Sequence, residues 1–142
     1  MQLVIGGAFA GKRNIVREKD KEFSWVSSYY NDLLSDWDKK WRGGTTLVLE
    51  GWERWIEDQM KKEAGDAVIR AEFSKFFQSF LEEERVRNDG IVLIMLEVGR
   101  GIVPIDKEER RFRDLAGWIL QDAVKLAEEV QYVWHGIAKR LK

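Results

Sequence analysis

The sequence of 142 residues contains no cysteine, one histidine and one proline. The lack of cysteine excludes disulfides, thiolate zinc sites and cysteine nucleophiles, and a single histidine excludes a multi-histidine metal site. The longest apolar runs, such as residues 91–96, are strand-sized and fall far short of the roughly 20 residues that a membrane-spanning helix needs. The first residues lack the basic lead of a signal peptide, so we expect a cytoplasmic protein without a membrane span.

Charge of one sign is also lacking, because 24 Lys and Arg residues face 25 Asp and Glu residues, for a net charge of −1. This balance argues against a basic surface for nucleic acid. Apolar residues make up 44% of the chain and charged residues 35%. The apolar fraction is sufficient for a hydrophobic core, and the charged fraction is higher than in an average globular protein. The length predicts one domain over residues 1–142.

Strand-like and helix-like patterns alternate along the chain. We predict strands at residues 1–5, 23–26, 45–49, 91–96 and 131–134, and helices at residues 12–21, 52–63, 69–81 and 106–130. Two of these helices have acidic start signals, Asp66 for the third and Asp106 with Glu109 for the fourth. The run at 91–96 is apolar on both faces, which is typical of a central strand covered by helices on both sides. The pattern predicts an α/β fold with a mainly parallel sheet.

Seven tryptophans are many for this length. We expect Trp25 and Trp55 in the core. Trp37, Trp41 and Trp52 lie on weakly patterned segments, where they form either part of the core or an exposed cluster for a flat ligand or a subunit contact. His135 is expected at or near the surface.

The first predicted strand runs into the pattern G-x-x-x-x-G-K, which is typical of phosphate-binding loops. Its glycines let backbone N–H groups point into one concavity, the following helix adds its positive end, and the lysine neutralises phosphate charge. The alternative is an ordinary glycine turn. The predicted nucleotide-binding residues are Gly6, Gly7, Ala8, Phe9, Ala10, Gly11, Lys12 and Arg13.

Arg13 stands where a serine or threonine would supply a hydroxyl ligand to Mg²⁺, and arginine cannot ligate a metal. Glu50 and Glu97 end two predicted central strands, where open α/β sheets place their ligands. We therefore predict Lys12, Glu50 and Glu97 as catalytic groups and Glu50 as the metal-binding residue, although a solvated Glu50 is an equal alternative. Whether Mg²⁺ binds stays open because of Arg13.

Five separated segments together resemble the bifunctional adenosylcobinamide kinase / adenosylcobinamide-phosphate guanylyltransferase family. LVIGGAFAGKR is similar to the opening strand and GGxxSGKS loop of that family, and LVLEGWERWIEDQM to its LVDCLTLWLTNLL segment. EVGRGIVP matches EVGxGIVP, RRFRDLAGWILQDAVKLAEEV resembles RxFRDxxGRxNQxxAxxADEV, and VWHGIAKRLK resembles VxGIPxxLK. The resemblance covers both ends and the middle, and it is most specific at residues 97–142.

The resemblance implies a single-domain, three-layer P-loop NTPase-like fold, often oligomeric, and two reactions. One phosphorylates the aminopropanol hydroxyl of cobinamide, and the other transfers GMP from GTP through a guanylylated histidine. The sequence departs from the family pattern at several positions. Residues 29–44 contain no histidine, Glu50 replaces an aspartate, and Gln121 alone remains of the RxNQ motif.

Three functions are consistent with these observations. The first is a divergent member that binds GTP or ATP and phosphorylates a cobinamide-type substrate, with guanylyl transfer lost. The second is a non-catalytic nucleotide-binding or assembly paralogue, and the third is a small P-loop kinase for another alcohol. We expect a homo-oligomer with no nucleic-acid partner.

Overall fold

The computed structural model describes residues 1–19 and 21–142, and within them six β-strands form one sheet. The strands are β1 (Gln2–Gly6), β2 (Phe23–Ser27), β3 (Thr46–Glu50), β4 (Ile91–Leu96), β5 (Glu129–Trp134) and β6 (Ile137–Arg140). The α-helices of the described residues are α1 (Lys12–Arg17), α2 (Trp37–Lys40), α3 (Trp52–Met60), α4 (Asp66–Arg87) and α5 (Lys107–Leu126). Two short 3-10 helices, Ser28–Tyr30 and Leu34–Asp36, connect β2 to α2.

The strand order is β2-β3-β4-β1-β5-β6. The first five strands are parallel, and β6 pairs antiparallel with β5. Since β1 lies between β4 and β5, the loop after β1 leaves the sheet at its centre. The α/β class, the single domain and the mainly parallel sheet are confirmed, and the architecture is that of a P-loop NTPase-like fold.

The sheet is covered on both faces because its strand residues alternate between two apolar clusters. Leu3 and Ile5 of β1 belong to a large cluster with residues of α3, α4 and α5, whereas Val4 belongs to a smaller cluster with Val16 of α1. Helix α4 buries Ile69, Phe73, Phe77 and Phe80. Full burial of such a side chain contributes about 1.5–3 kcal/mol each, so the larger cluster dominates the core.

The C-terminal part of the predicted fold needs three corrections. Helix α5 ends at Leu126 rather than continuing to residue 130, because Ala127 has an extended backbone. Val130 is instead a buried residue of β5. It lies four residues after Leu126, so in the sequence it looks like the next apolar residue of the helix, which is why the helix was predicted to continue. Strand β6 was not predicted, since all four of its residues are exposed.

Three other helices also differ from their predicted bounds. Helix α4 covers Asp66–Arg87 and is longer at both ends than the predicted range 69–81. Helix α3 ends at Met60 instead of residue 63. Helix α1 ends at Arg17, and residue 20 of the predicted 12–21 helix lies outside the described residues.

The two predicted helix caps have different outcomes. Asp106 is confirmed, since its carboxylate accepts a hydrogen bond from the backbone N–H of Glu109 at 3.0 Å. The prediction for Asp66 is wrong, because Gly65 precedes the helix and no side chain caps it. Asp66 begins α4 and accepts a hydrogen bond from Nε of Arg111 at 2.7 Å, so it ties α4 to α5.

The tryptophans of the weakly patterned segments lie in the core or pack against it, so the exposed-cluster alternative is wrong for them. Trp41, Trp52 and Trp55 are buried, and the ring of Trp37 packs edge-on against Phe80 with centroids 4.9 Å apart. Trp25, predicted as a core residue, is only partly buried beside the smaller cluster. Within the described residues, the helices are too short or too polar to cross a bilayer.

Candidate functional site

The loop between β1 and α1 has a backbone that requires small residues at two points. A Cβ at Gly6 would lie 2.4 Å from the backbone oxygen of Val133 on the neighbouring strand, which no side chain tolerates. Gly11 has φ +98°, in the left-handed region, where L-residues other than glycine are strained. The glycine spacing therefore produces the strand-to-helix connection that the sequence predicts.

The turn between β5 and β6 fixes the far side of this loop. The backbone N–H of Gly136 donates to the carbonyl of Ala10 at 2.8 Å. His135 belongs to the same turn, where it is exposed, has φ +49° and packs against the tilted ring of Trp134 with ring centroids 4.8 Å apart. His135 is thus a surface residue, as predicted.

Lys12, the first residue of α1, folds back over the loop. Its ammonium group donates to the carbonyl oxygens of Gly6 at 3.2 Å and Gly7 at 2.6 Å. Burial lowers the pKa of Lys12, and the negative charges of Glu53 and Glu50 partly oppose that change. The lysine is therefore a partly desolvated cation that two neutral carbonyl oxygens hold at the loop. An anion is a stronger acceptor and can replace them.

Arg13 and Glu50 form a two-pronged ion pair across the site. Nε of Arg13 donates to Oε2 of Glu50 at 2.7 Å, and one terminal nitrogen donates to Oε1 at 2.6 Å. Glu50 is almost completely buried at the end of β3, with 2% exposure, while the Arg13 side chain is 38% exposed. The hydrogen bonds to Glu50 raise the pKa of Arg13, so the guanidinium stays charged.

Two tyrosines flank the guanidinium of Arg13. It lies 5.7 Å from the ring centre of Tyr29 and 5.8 Å from that of Tyr30. The hydroxyl of Tyr29 donates to Oε1 of Glu53, in the first turn of α3. Burial and this hydrogen bond raise the pKa of Tyr29, so its phenol stays neutral. Sequence reasoning missed Tyr29 and Glu53, since neither belongs to a recognisable motif.

These groups line one cavity with a volume of about 520 Å³. Its walls consist of the loop and the start of α1, together with residues from the ends of β3 and β4 and from their connections. The lining residues are Ala8, Phe9, Ala10, Gly11, Lys12, Arg13, Tyr29, Glu50, Glu53, Ile94 and Leu96. The structure thus gathers Lys12, Arg13 and Glu50, which the sequence predicted separately, in one concave site.

Glu97, the remaining predicted catalytic residue, does not line this cavity. One of its carboxylate oxygens accepts from the hydroxyl of Tyr132 at 2.7 Å, and the other accepts from Nε of Arg100 at 3.0 Å. Because β-strand residues alternate between faces, Glu97 continues the face of Met95, which belongs to the large cluster under α3–α5. Glu50 lies instead on the face of Val48 and α1.

The side chains at the loop do not supply the ligands that a bound Mg²⁺ would need. Position 13 offers a cation where a hydroxyl ligand would be needed, and both oxygens of Glu50 are bonded to that cation. Among the described residues there is no group of three acidic or histidine side chains that could hold a metal. The same site suits an anion, because Lys12 and Arg13 meet beside a strand-to-helix loop.

A family model for cobinamide kinase / cobinamide phosphate guanyltransferase matches residues 13–141. The match begins at Arg13, so the loop glycines precede it, and it includes Glu50 and the whole sheet apart from β1.

Two curated proteins are similar over a shorter stretch. They are the bifunctional adenosylcobalamin biosynthesis proteins CobU of Salmonella typhimurium (strain LT2) and Escherichia coli (strain K12). Each is 44% identical to this chain over 52 residues, which are 37% of this chain and 29% of the relative. The aligned stretch therefore spans less than a third of either relative.

Proposed function

The chain belongs to the cobinamide kinase / cobinamide phosphate guanyltransferase family, and we propose that it binds GTP or ATP at residues 6–13 and phosphorylates a cobinamide-type alcohol in cobalamin biosynthesis. The observation that carries the proposal is the cavity in which the glycine loop, Lys12 and Arg13 meet. A strand-to-helix loop with two converging cations is suited to the phosphates of a nucleotide.

Lys12 is the group that responds directly to the phosphates. A bound phosphate accepts the ammonium hydrogen bonds that now go to two loop carbonyls. The exchange replaces a neutral carbonyl acceptor by an anionic one, so the hydrogen bonds of the ammonium gain the attraction between opposite charges. The negative phosphate also opposes the lowering of the Lys12 pKa that burial causes.

Arg13 supplies positive charge where the family pattern places a metal ligand. Arginine carries five N–H donors, and Glu50 takes one from Nε and one from a terminal nitrogen. The remaining donors are available to phosphate oxygens while the ion pair stays intact. We therefore propose nucleotide binding that does not need Mg²⁺.

Guanylyl transfer through a histidine is not part of the proposed activity. His135 is the one histidine of the sequence, and it lies in the exposed turn between β5 and β6 rather than among the residues lining the cavity. We infer that the loop and Glu50 serve binding and phosphoryl transfer only.

A non-catalytic nucleotide-binding protein is the second candidate. The complete pairing of the Glu50 carboxylate with Arg13 favours it, because Glu50 then has no free oxygen to organise a metal or a water. Chromatographic detection of cobinamide phosphate after incubation with ATP or GTP and dicyanocobinamide separates the two. Product formation supports the kinase, whereas nucleotide binding without product supports the second candidate.

Isothermal titration tests nucleotide binding, which both candidates share. GTP and ATP are titrated in Mg²⁺ and in EDTA into the wild type, Lys12→Ala and the control Lys62→Ala, whose exposed lysine lies beyond α3. Lys12→Ala should weaken binding by about tenfold or more, the effect of losing hydrogen bonds to a charged group. Lys62→Ala should leave it unchanged. Lack of binding by the wild type, or equal binding by both variants, contradicts the proposal.

A further inference from the structure

Glu53 has a carboxylate oxygen whose hydrogen bonding is incomplete. Oε1 accepts from the hydroxyl of Tyr29, whereas Oε2 is shielded from solvent and has no partner among the described residues. A buried acceptor without a donor is unfavourable, and more so when it is charged. Since Glu53 lines the cavity, rotation of its carboxylate about the last side-chain bond would bring this oxygen to a donor group of a ligand.

Other groups of the cavity do not satisfy this oxygen. Arg13 is committed to Glu50 on two sides, and Lys12 donates to the loop carbonyls. Arg54, on the same helix, lies over the Tyr29 ring at 5.2 Å. The Glu53 side of the cavity therefore presents a negative acceptor, while the loop side presents cations.

This division of charge assigns different chemistry to the two sides of the cavity. Phosphate oxygens are acceptors, so they suit Lys12 and the loop and are repelled by Glu53. A hydroxyl is a donor, so it suits Oε2 of Glu53. Glu53 and Lys12 line the same cavity, so a hydroxyl bound at Glu53 shares that cavity with phosphates bound at the loop.

We propose that Glu53, steadied by Tyr29, binds the hydroxyl group of the phosphoryl acceptor through Oε2. This inference rests on the proposed function, because the acceptor alcohol is the substrate assigned there. It makes Glu53 a substrate-binding residue that distinguishes a free hydroxyl from its phosphate ester, since the ester lacks the donor and brings negative charge to a carboxylate.

The experiment compares wild type, Glu53→Leu and the control Glu57→Gln, which removes a negative charge from the exposed side of the same helix. Each protein is titrated with a non-hydrolysable GTP analogue, and the complexes are then titrated with dicyanocobinamide and with cobinamide phosphate. Wild type should bind the alcohol more tightly than the ester. Glu53→Leu should weaken binding of the alcohol about tenfold or more and abolish the preference, while the GTP analogue binds at least as tightly as to the wild type, because a charge that repels phosphates is removed. The control should behave as wild type.

The outcomes separate this inference from the proposed function. If the wild type binds the alcohol and Glu53→Leu binds it equally well, Glu53 is not its ligand and the inference is wrong. If the wild type binds the GTP analogue but neither cobinamide compound, the acceptor assigned in the proposed function is wrong, and the inference falls with it.

Discussion

Replacing Arg13 by serine should convert a metal-independent anion site into one that binds Mg²⁺. The substitution removes a cation that occupies both oxygens of Glu50 and introduces the hydroxyl that the family pattern has at this position. Serine and the freed carboxylate then supply two oxygen ligands of the kind that Mg²⁺ prefers. The reasoning depends on one structural fact, the bidentate contact between Arg13 and Glu50 at 2.6 and 2.7 Å.

The expected loss of stability follows from the burial of the two partners. Removing one partner of a fully buried ion pair costs about 3–5 kcal/mol, because the other charge is left uncompensated. Glu50 is 2% exposed, but Arg13 is 38% exposed, so water can replace part of the guanidinium. We expect a loss of about 2 kcal/mol in the free energy of unfolding, within the range for hydrogen bonds to charged groups. For a chain of this length, that lowers Tm by roughly 4–8 °C.

The assay is thermal unfolding with Mg²⁺ and with EDTA, for wild type, Arg13→Ser and the control Arg17→Ser. Arg17 lies on the same helix and contacts the ring of Trp25 at 5.3 Å, so its loss should cost less and leave the metal response unchanged. Mg²⁺ at ten times its Kd should restore about 1.4 kcal/mol to Arg13→Ser and should not stabilise the wild type. The reasoning is refuted if Arg13→Ser unfolds like Arg17→Ser, or if Mg²⁺ stabilises the wild type as strongly as Arg13→Ser.

Three further predictions follow from the loop, the histidine and the tyrosine. Gly6→Ala should reduce the free energy of unfolding, measured in urea, by more than about 2 kcal/mol. The added Cβ would lie 2.4 Å from a backbone oxygen, and overpacking of this kind costs about 1–3 kcal/mol or more. Gly7→Ala, with open space around it, is the matched control, and equal losses in the two variants contradict the reasoning. Incubation with radiolabelled GTP followed by denaturation should leave the protein unlabelled, whereas acid-labile, alkali-stable label would show a guanylyl phosphoramidate and contradict this prediction. Because the pKa of Tyr29 is raised in the folded state by burial and its hydrogen bond, the stability it supplies is complete below the unfolded pKa of about 10 and decreases as pH rises above it. Tyr29→Phe should flatten that part of the pH profile of unfolding, and an unchanged profile contradicts the raised pKa.

The parts of the fold that were predictable are those in which a local pattern determines the structure. The apolar run of β4 has the bounds that the sequence predicts, because a strand buried on both faces needs apolar residues throughout. The start of α5 was predictable as well, since the Asp106 cap is a local interaction. Strand β6 lacked such a signal: its exposed residues are held by pairing with β5, which is a tertiary effect.

The candidate site was predictable as a set of residues but not as a set of contacts. Lys12, Arg13 and Glu50 each stand at a position that a motif or a strand end marks. The contact between Arg13 and Glu50 joins residues 37 positions apart, and it depends on β3 lying two strands away from β1 in the sheet. Glu53 and Tyr29 had no sequence signal, because only the cavity makes their pairing visible.

Two departures from the family pattern are, in physical terms, one change. An arginine at position 13 without an acceptor would bring an unpaired cation into a partly buried site, and a carboxylate as buried as Glu50 would be costly without a cation. Together they satisfy each other, and glutamate is one methylene longer than the aspartate of the family segment, which extends its reach toward the guanidinium. A fixed positive charge that is part of the fold then stands where an exchangeable metal ion would otherwise bring it. For this reason the loop can attract phosphate without a metal ion, and binding and turnover have to be measured separately in this protein.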